Sequence, residues 1–274
     1  MLNVEAKGKD SESLRSNVFH YGVDRFNFFN PYLESVQDQK PSILEVGPGG
    51  LLAHGLLHKA VGCAYTALDA VEGHVFSPLA LAHYDYLKEN WSAVSAALDS
   101  RKPVTGAMPD VESLTYTVLP LELAEPGQVG QFDVILSYGV FEHLWNARLA
   151  IQKCASLAKA GGIMVHRIDF FPHDFWSGYT NPLEFLSVSK FAYELMYRGR
   201  GAPNRNRFSW FRREFERAGF EVEIRDPEYY CPGVLAIRSR VDPGVEVTSE
   251  EDLLVSSATF ICRKQRKDRD EDAN

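Results

Sequence analysis

The sequence predicts a doubly wound α/β domain on three observations. Short apolar runs of strand length alternate with stretches of helical periodicity. A glycine-rich turn, GPGG (47–50), joins the first apolar run to a helical stretch. The next apolar run closes on an acidic residue, Asp69. A strand, a glycine turn, a helix and a second strand make a unit whose parallel strands are joined by a right-handed crossover.

The elements follow in order. Residues 1–40 read as an N-terminal helical segment. NVFHYGVDRFNFFNPYLESV carries apolar and aromatic groups three and four apart, and Pro41 follows. SILEV (42–46) is the first strand, and LLAHGLLHKAV is a helix with Gly62 near its end. CAYTALDA (63–70) is the second strand. The span 71–113 is too long for a simple connection. Within it PLALAHYDYLKENWSAVSAALDS reads as one long helix, so the region is an insertion or helical cap. LTYTVL (114–119) and FDVILSYG (132–139) are the third and fourth strands. VFEHLWNARLAIQKCASLAKA reads as one helix ended by Gly161 and Gly162, and GIMVHRIDF (162–170) is strand five. SWFRREFERAGF (209–220) is an amphipathic helix with Ser209 at its N-cap. EVEIRDP and SSATFICRK are the last strands, with TSEEDLLV a capped helical start between them. The charged tail, 265–274, cannot bury apolar surface and reads as disordered.

The chain has 274 residues, 45% hydrophobic and 24% charged, which suits a large buried core. The formal net charge of -8 argues against nucleic acid or an anionic membrane as the main partner. No run approaches the roughly 20 apolar residues of a membrane span, and the N-terminus is polar. A cytoplasmic location is the expectation. Cys63, Cys154, Cys231 and Cys262 form no CxxC pair, which excludes the usual zinc-ribbon and redox motifs.

Ligands of doubly wound sheets bind beyond the carboxyl ends of the strands. GPGG, DAVEG, LPLE, SYGVFEH and DFFPHDFW all follow strands and should gather there. Gly47 and Gly49 allow a tight turn and close approach of a ligand to the backbone. Asp69, 22 positions after Gly47, suits a carboxylate that accepts hydrogen bonds from ribose hydroxyls. A dinucleotide fingerprint needs a third glycine where Leu52 stands, and an apolar residue where Glu45 stands.

With ILEVGPGG, Asp69, FDVILSYGVFEHL and LAKAGGIMVHRID in this order, the chain resembles the class I S-adenosylmethionine-dependent methyltransferases over roughly residues 40–264. The resemblance implies a Rossmann-like seven-stranded sheet with the last strand antiparallel, decorated by helical cap and lid insertions at about 71–113 and 171–208. It implies S-adenosylmethionine as cofactor and a small-molecule acceptor. Glu45, Gly47, Pro48 and Gly49 would line its methionine end. Asp69 and Ala70 would lie at its ribose, Leu119 at its adenine, and Ser137 and Tyr138 beneath its methionine. Glu122 is a candidate for the adenine-side acid.

Methyl transfer from a sulfonium is an in-line displacement that mainly needs alignment and exclusion of water. A base is needed where the acceptor must lose a proton. His143, in FEHL after strand four, is a candidate base or substrate contact; it reads equally as a helix-face histidine bonded to Glu142. In HRIDFFPHDFW, Asp169 and His173 could act as an orienting carboxylate and its base, or hold the loop by hydrogen bonds. Two histidines and an aspartate could also bind a divalent ion, but the spacing matches no recognised metal motif, and no metal is expected. Phe170, Phe171, Phe175, Trp176 and Tyr179 could wall an acceptor pocket or form lid core. Seven arginines between Arg198 and Arg217 could grip an acceptor carboxylate or phosphate, or form a solvated face. The leading expectation is O-methylation. N-methylation, a nicotinamide oxidoreductase and a non-catalytic binding subunit are the rivals.

Overall fold

The computed structural model describes residues 11–33, 36, 40–100, 104, 106–173, 180–197 and 201–264. The charged tail 265–274, the aromatic residues Phe175, Trp176 and Tyr179, and Arg198 and Arg200 lie outside the described residues. Two compact units are present: Met1–Leu136 with Leu157–Gly162, and Ser137–Ser156 with Ile163–Asn274.

The first unit begins with α1 (Ser11–Val18), a π-helical turn (Phe19–Asp24) and α2 (Arg25–Leu33). The helical run therefore ends before Pro41. It then builds β1 (Ser42–Val46), α3 (Ala53–Ala60), β2 (Ala64–Asp69) and β3 (Thr115–Val118). After the short α6 (Pro126–Val129) comes β4 (Phe132–Tyr138). β1 pairs in parallel with both β2 and β4, and β2 with β3. β1 is therefore central here and buried on both faces, which is why SILEV reads as an unbroken run rather than an alternation. α2 and α3 pack through the Phe26–His58 and Phe29–His54 ring pairs. Gly22 lets the π-helical turn approach, since a Cβ there would lie 3.2 Å from the Ala53 Cβ.

One expectation here is corrected. The helix read over 78–100 is two helices, α4 (Pro78–Glu89) and α5 (Trp91–Ala96). The Ser77 hydroxyl caps α4 by accepting from the Ala80 amide, and the chain breaks at Asn90, whose φ and ψ are -105° and 18°. Asparagine offers the backbone a competing side-chain bond, here to the Tyr86 carbonyl.

The second unit holds α7 (Ala147–Leu157), of which Leu157 alone falls in the first unit, and β5 (Ala158–Asp169). It continues with α8 (Lys190–Tyr197), α9 (Phe208–Arg217), β6 (Phe220–Tyr229), α10 (Glu251–Leu254) and β7 (Val255–Lys264). β7 runs antiparallel to both β5 and β6. The sheet has seven strands in the order β3-β2-β1-β4-β5-β7-β6, so the expected class of sheet is present. The apolar stripe of α9, Phe208, Phe211 and Phe215, packs on Phe260 of β7. Burying each such ring is worth roughly 1.5–3 kcal/mol.

Three readings change in this unit. The helix read over 140–160 starts late: Phe141–His143 is a separate 3-10 turn, and α7 begins only at Ala147. The N-cap of α9 is Arg207, not Ser209. The Ser209 amide is capped instead by Asp252, 2.8 Å away, from α10. The long loop after β5 is also more than a cover. Leu183, Phe185, Leu186 and Tyr193 form a core of their own with Val234, Ile237, Val245 and Leu253. No helix among the described residues is long and apolar enough to cross a membrane.

Candidate active site

In the first unit the carboxyl ends of β1, β2 and β3 carry the glycine loop and Asp69. Gly47 and Gly49 have φ of 67° and 75°, the left-handed region where a Cβ is strained. The Gly47 amide donates to the Leu68 carbonyl at 2.8 Å, which ties the loop to the end of β2. Space above Gly49 is open, with no atom within 4 Å of a Cβ built there. Gly73 closes the loop from beside: its Cβ would lie 2.9 Å from the Gly49 carbonyl oxygen. Tyr116 of β3 accepts from the Gly73 amide at 2.7 Å and holds that approach. Pro48 is buried, Ala70 exposed and Leu119 half-buried, its amide donating to the Asp69 carbonyl.

The Asp69 carboxylate is half-buried. Burial raises its pKa above the usual carboxylate value, and hydrogen bonds from the backbone of Val71, Ala70 and Gly49 hold that rise in check. A carboxylate held by amides at a strand end, beside open glycine backbone, is built to accept further donors such as vicinal hydroxyls.

Glu45 is placed differently. Its carboxylate is buried and accepts from the Tyr65 hydroxyl, with His54 Nδ1 3.0 Å from the same oxygen. His54 in turn meets His58 at 2.6 Å. Burial pushes the Glu45 pKa up; the facing His54, aided by Arg25 and the Tyr65 bond, overcomes this and brings it below the ordinary value. The network runs toward α3, so the side chain braces β1 against the helix that follows the glycine loop.

In the second unit, Ser137 is fully buried and Tyr138 half-buried at the end of β4. The Ser137 hydroxyl lies 2.8 Å from Nδ1 of His166. His166 stacks on Phe215 with rings 5.5 Å apart and 7° from parallel. Burial lowers its pKa to about 3, so this histidine stays neutral.

The turn after β4 brings Glu142 and His143 to His173. The rings of His143 and His173 stand 4.8 Å apart, and one ligand-type atom from each of the three residues lies within 4.8 Å of the others. Asn204 locks this turn by donating from Nδ2 to the carbonyls of Phe141 and Leu144, and from its amide to that of Glu142. His143 is exposed; partial desolvation lowers its pKa, and hydrogen bonding to the backbone of Gly201 and Ala202 offsets part of this. A lowered pKa leaves the ring neutral and able to accept a proton near neutral pH. His173 holds a φ of 55°, an uncommon value for a residue with a Cβ.

Asp169 lies beside Glu142. A Cβ at Gly139 would be 3.5 Å from Glu142 Oε1 and 3.8 Å from Asp169 Oδ2. Burial pushes Asp169 up to about 6; the Arg167 charge opposes the rise and Glu228 adds to it. Arg167 bonds the Asp226 carbonyl, Glu228 and Ser257.

Of the described arginines of the 198–217 cluster, Arg207 is buried, Arg205 and Arg213 are half-buried, and Arg212 and Arg217 are exposed. Arg207 is buried and donates to the carbonyls of Asp252, Phe170 and Val255. Arg205 donates to the Val188 carbonyl and lies over Tyr193. Arg213 pairs with Glu246, and Arg148 and Arg217 both bond Glu214. Sequence reasoning missed the roles of Glu142 and Asn204. An acid beside a histidine reads as an ordinary surface pair, and Asn204 is 60 positions from the turn that it locks.

No protein-family model matches the chain, and no curated protein matches it significantly. Solved structures do. Phosphoethanolamine N-methyltransferase 2 of Haemonchus contortus, bound to phosphomonomethylethanolamine and S-adenosylhomocysteine, aligns with a TM-score of 0.51 at 12% identity. The alignment covers 96% of this chain and 60% of that one, so the chain spans about three fifths of that enzyme's length. An O-methyltransferase family protein of Burkholderia thailandensis gives 0.45 at 12% identity, covering 95% of this chain and 62% of that one. An S-adenosylmethionine-dependent methyltransferase of Mesorhizobium loti gives 0.46 at 15%, covering 85% and 96%. At such identities the common property is the fold, and the chain has the class I methyltransferase fold.

Proposed function

We propose, from the class I methyltransferase fold, that the chain binds S-adenosylmethionine and transfers its methyl group to a small-molecule hydroxyl. The observation that carries the reading is the Asp69 carboxylate, held by backbone amides next to the left-handed, open glycine loop. Gly47, Pro48 and Gly49 would face the methionine end of the cofactor, and Asp69 its ribose. Leu119 would border the adenine, with Ala70 alongside. Ser137 and Tyr138 would lie under the methionine, and Glu45 would act through α3 by bracing the loop.

The cofactor supplies an activated methyl group on a sulfonium. The protein then has to orient the acceptor oxygen in line and take its proton. His143 is neutral, exposed and anchored on a locked turn, so it suits the proton-accepting role, with His173 at its side. Asp169 would set the local charge. The net charge of -8 disfavours a nucleic-acid acceptor.

The test is calorimetric titration of wild type and Asp69→Ala with S-adenosylmethionine and, separately, NAD. The reading expects micromolar binding of S-adenosylmethionine, weakened about tenfold or more in Asp69→Ala, and none of NAD. Binding of NAD instead would replace the reading with an oxidoreductase. Product mass from an acceptor screen then separates hydroxyl from amine methylation.

A further inference from the structure

Glu142 is 1% exposed, and neither of its carboxylate oxygens makes a hydrogen bond among the described residues. An unpartnered buried carboxylate is destabilising unless it is neutralised or paired. The nearby groups do not pair it. The Asp169 carboxylate, which flanks Gly139 together with it, is a like charge. What the fold places beside it are two imidazoles, from His143 and His173.

We infer that Glu142, His143 and His173 form a binding site for a first-row divalent cation. Two imidazoles and one carboxylate are the donors such ions prefer, whereas magnesium and calcium prefer oxygen alone. The three ligand atoms lie within 4.8 Å of one another. Ligands bound at about 2.0–2.2 Å stand closer than that, so a small rotation of the exposed His143 ring completes the set. The burial gradient also fits. Glu142 is buried, His173 half-buried and His143 exposed, so the ion would keep open positions toward solvent. Water or an oxygen-bearing ligand would fill them.

The site does not depend on the methyl donor, since its evidence lies wholly in the second unit. With an ion bound, both rings act as ligands and the ion takes the place of His143 as proton-accepting base: a hydroxyl on the open position loses its proton more readily, to solvent water. Sequence spacing hides the set, because Glu142 and His143 are adjacent while His173 comes from the loop after β5.

The test uses the full chain, stripped with EDTA, dialysed and titrated with Co²⁺ alone, read by visible d–d absorption. We expect one ion per chain, displaced by Zn²⁺. His143→Ala, His173→Ala and Glu142→Gln should each weaken binding about tenfold or more. His20→Ala, at an exposed histidine elsewhere, should leave it unchanged. Absence of Co²⁺ absorption in wild type, or wild-type Co²⁺ affinity retained in both histidine variants, overturns the site. His143 is exposed, so His143→Ala keeps the test decisive even if Glu142→Gln misfolds. Loss of methyl-donor binding with Co²⁺ binding intact would sink the proposed function and leave this site standing.

Discussion

The Ser137 hydroxyl at the end of β4 lies 2.8 Å from Nδ1 of His166 in β5, and the imidazole is stacked flat on Phe215. Nε2 of that ring makes no hydrogen bond among the described residues. The pair therefore belongs to the core of the second unit, and His166 is a neutral packing group.

This has a pH consequence. Burial lowers the folded pKa of His166 to about 3, while an unfolded histidine titrates near 6.5. Its contribution to stability is whole above about pH 6.5 and is lost as pH falls from there toward about 3. We expect the His166 ring resonances to show no titration between about pH 5 and 8, where an unperturbed imidazole changes charge. A His166 midpoint inside that window would contradict the packing described.

Gly73→Ala should disable the glycine loop without touching Asp69. The new Cβ would lie 2.9 Å from the Gly49 carbonyl and 3.1 Å from the Tyr116 hydroxyl. The backbone oxygen cannot swing aside, so the loop must shift. Calorimetry should show S-adenosylmethionine affinity down about tenfold or more, since a shift of about 1 Å in a positioned site is costly. Unchanged affinity would show that this approach does not shape the cofactor site.

His143→Ala should lower kcat by roughly 10²–10⁴-fold if the ring handles the acceptor proton. Titration should find S-adenosylmethionine affinity within about twofold of wild type, because the residue is assigned to the acceptor. Full turnover in this variant, measured with any acceptor found by screening, would remove His143 from the chemistry.

Asp252→Ala tests how α9 is anchored. The buried Asp252 carboxylate accepts from the Ser209 amide and hydroxyl and from the Thr248 amide and hydroxyl. Its removal strips a helix cap and should cost about 1–2 kcal/mol, read as a lower Tm. Burial raises the Asp252 pKa, but these four bonds outweigh it and the net shift is downward. The stabilisation is therefore whole above about pH 4 and is lost as pH falls through the depressed folded pKa. Thermal melts of wild type and variant should converge in that acid range.

The sequence by itself determined the order of strands and helices, the glycine loop and Asp69. These rest on local rules: an apolar run fits a strand, a glycine permits positive φ, and a strand-end acid follows at a set spacing. It also marked His143 and His173 individually. Only the tertiary structure decided the rest. Asn90 splits a helix that periodicity reads as continuous, because periodicity does not register one side-chain bond to the backbone. Ser209 looks like a cap, yet Asp252, 43 positions away, supplies it. The arginines from 205 to 217 look like a charged face, yet Arg207 is buried among carbonyls, because chain spacing carries no information on which distant groups converge. The same reason conceals the Glu142, His143 and His173 set: adjacency in space comes from how β4 and β5 end, and no local pattern encodes it.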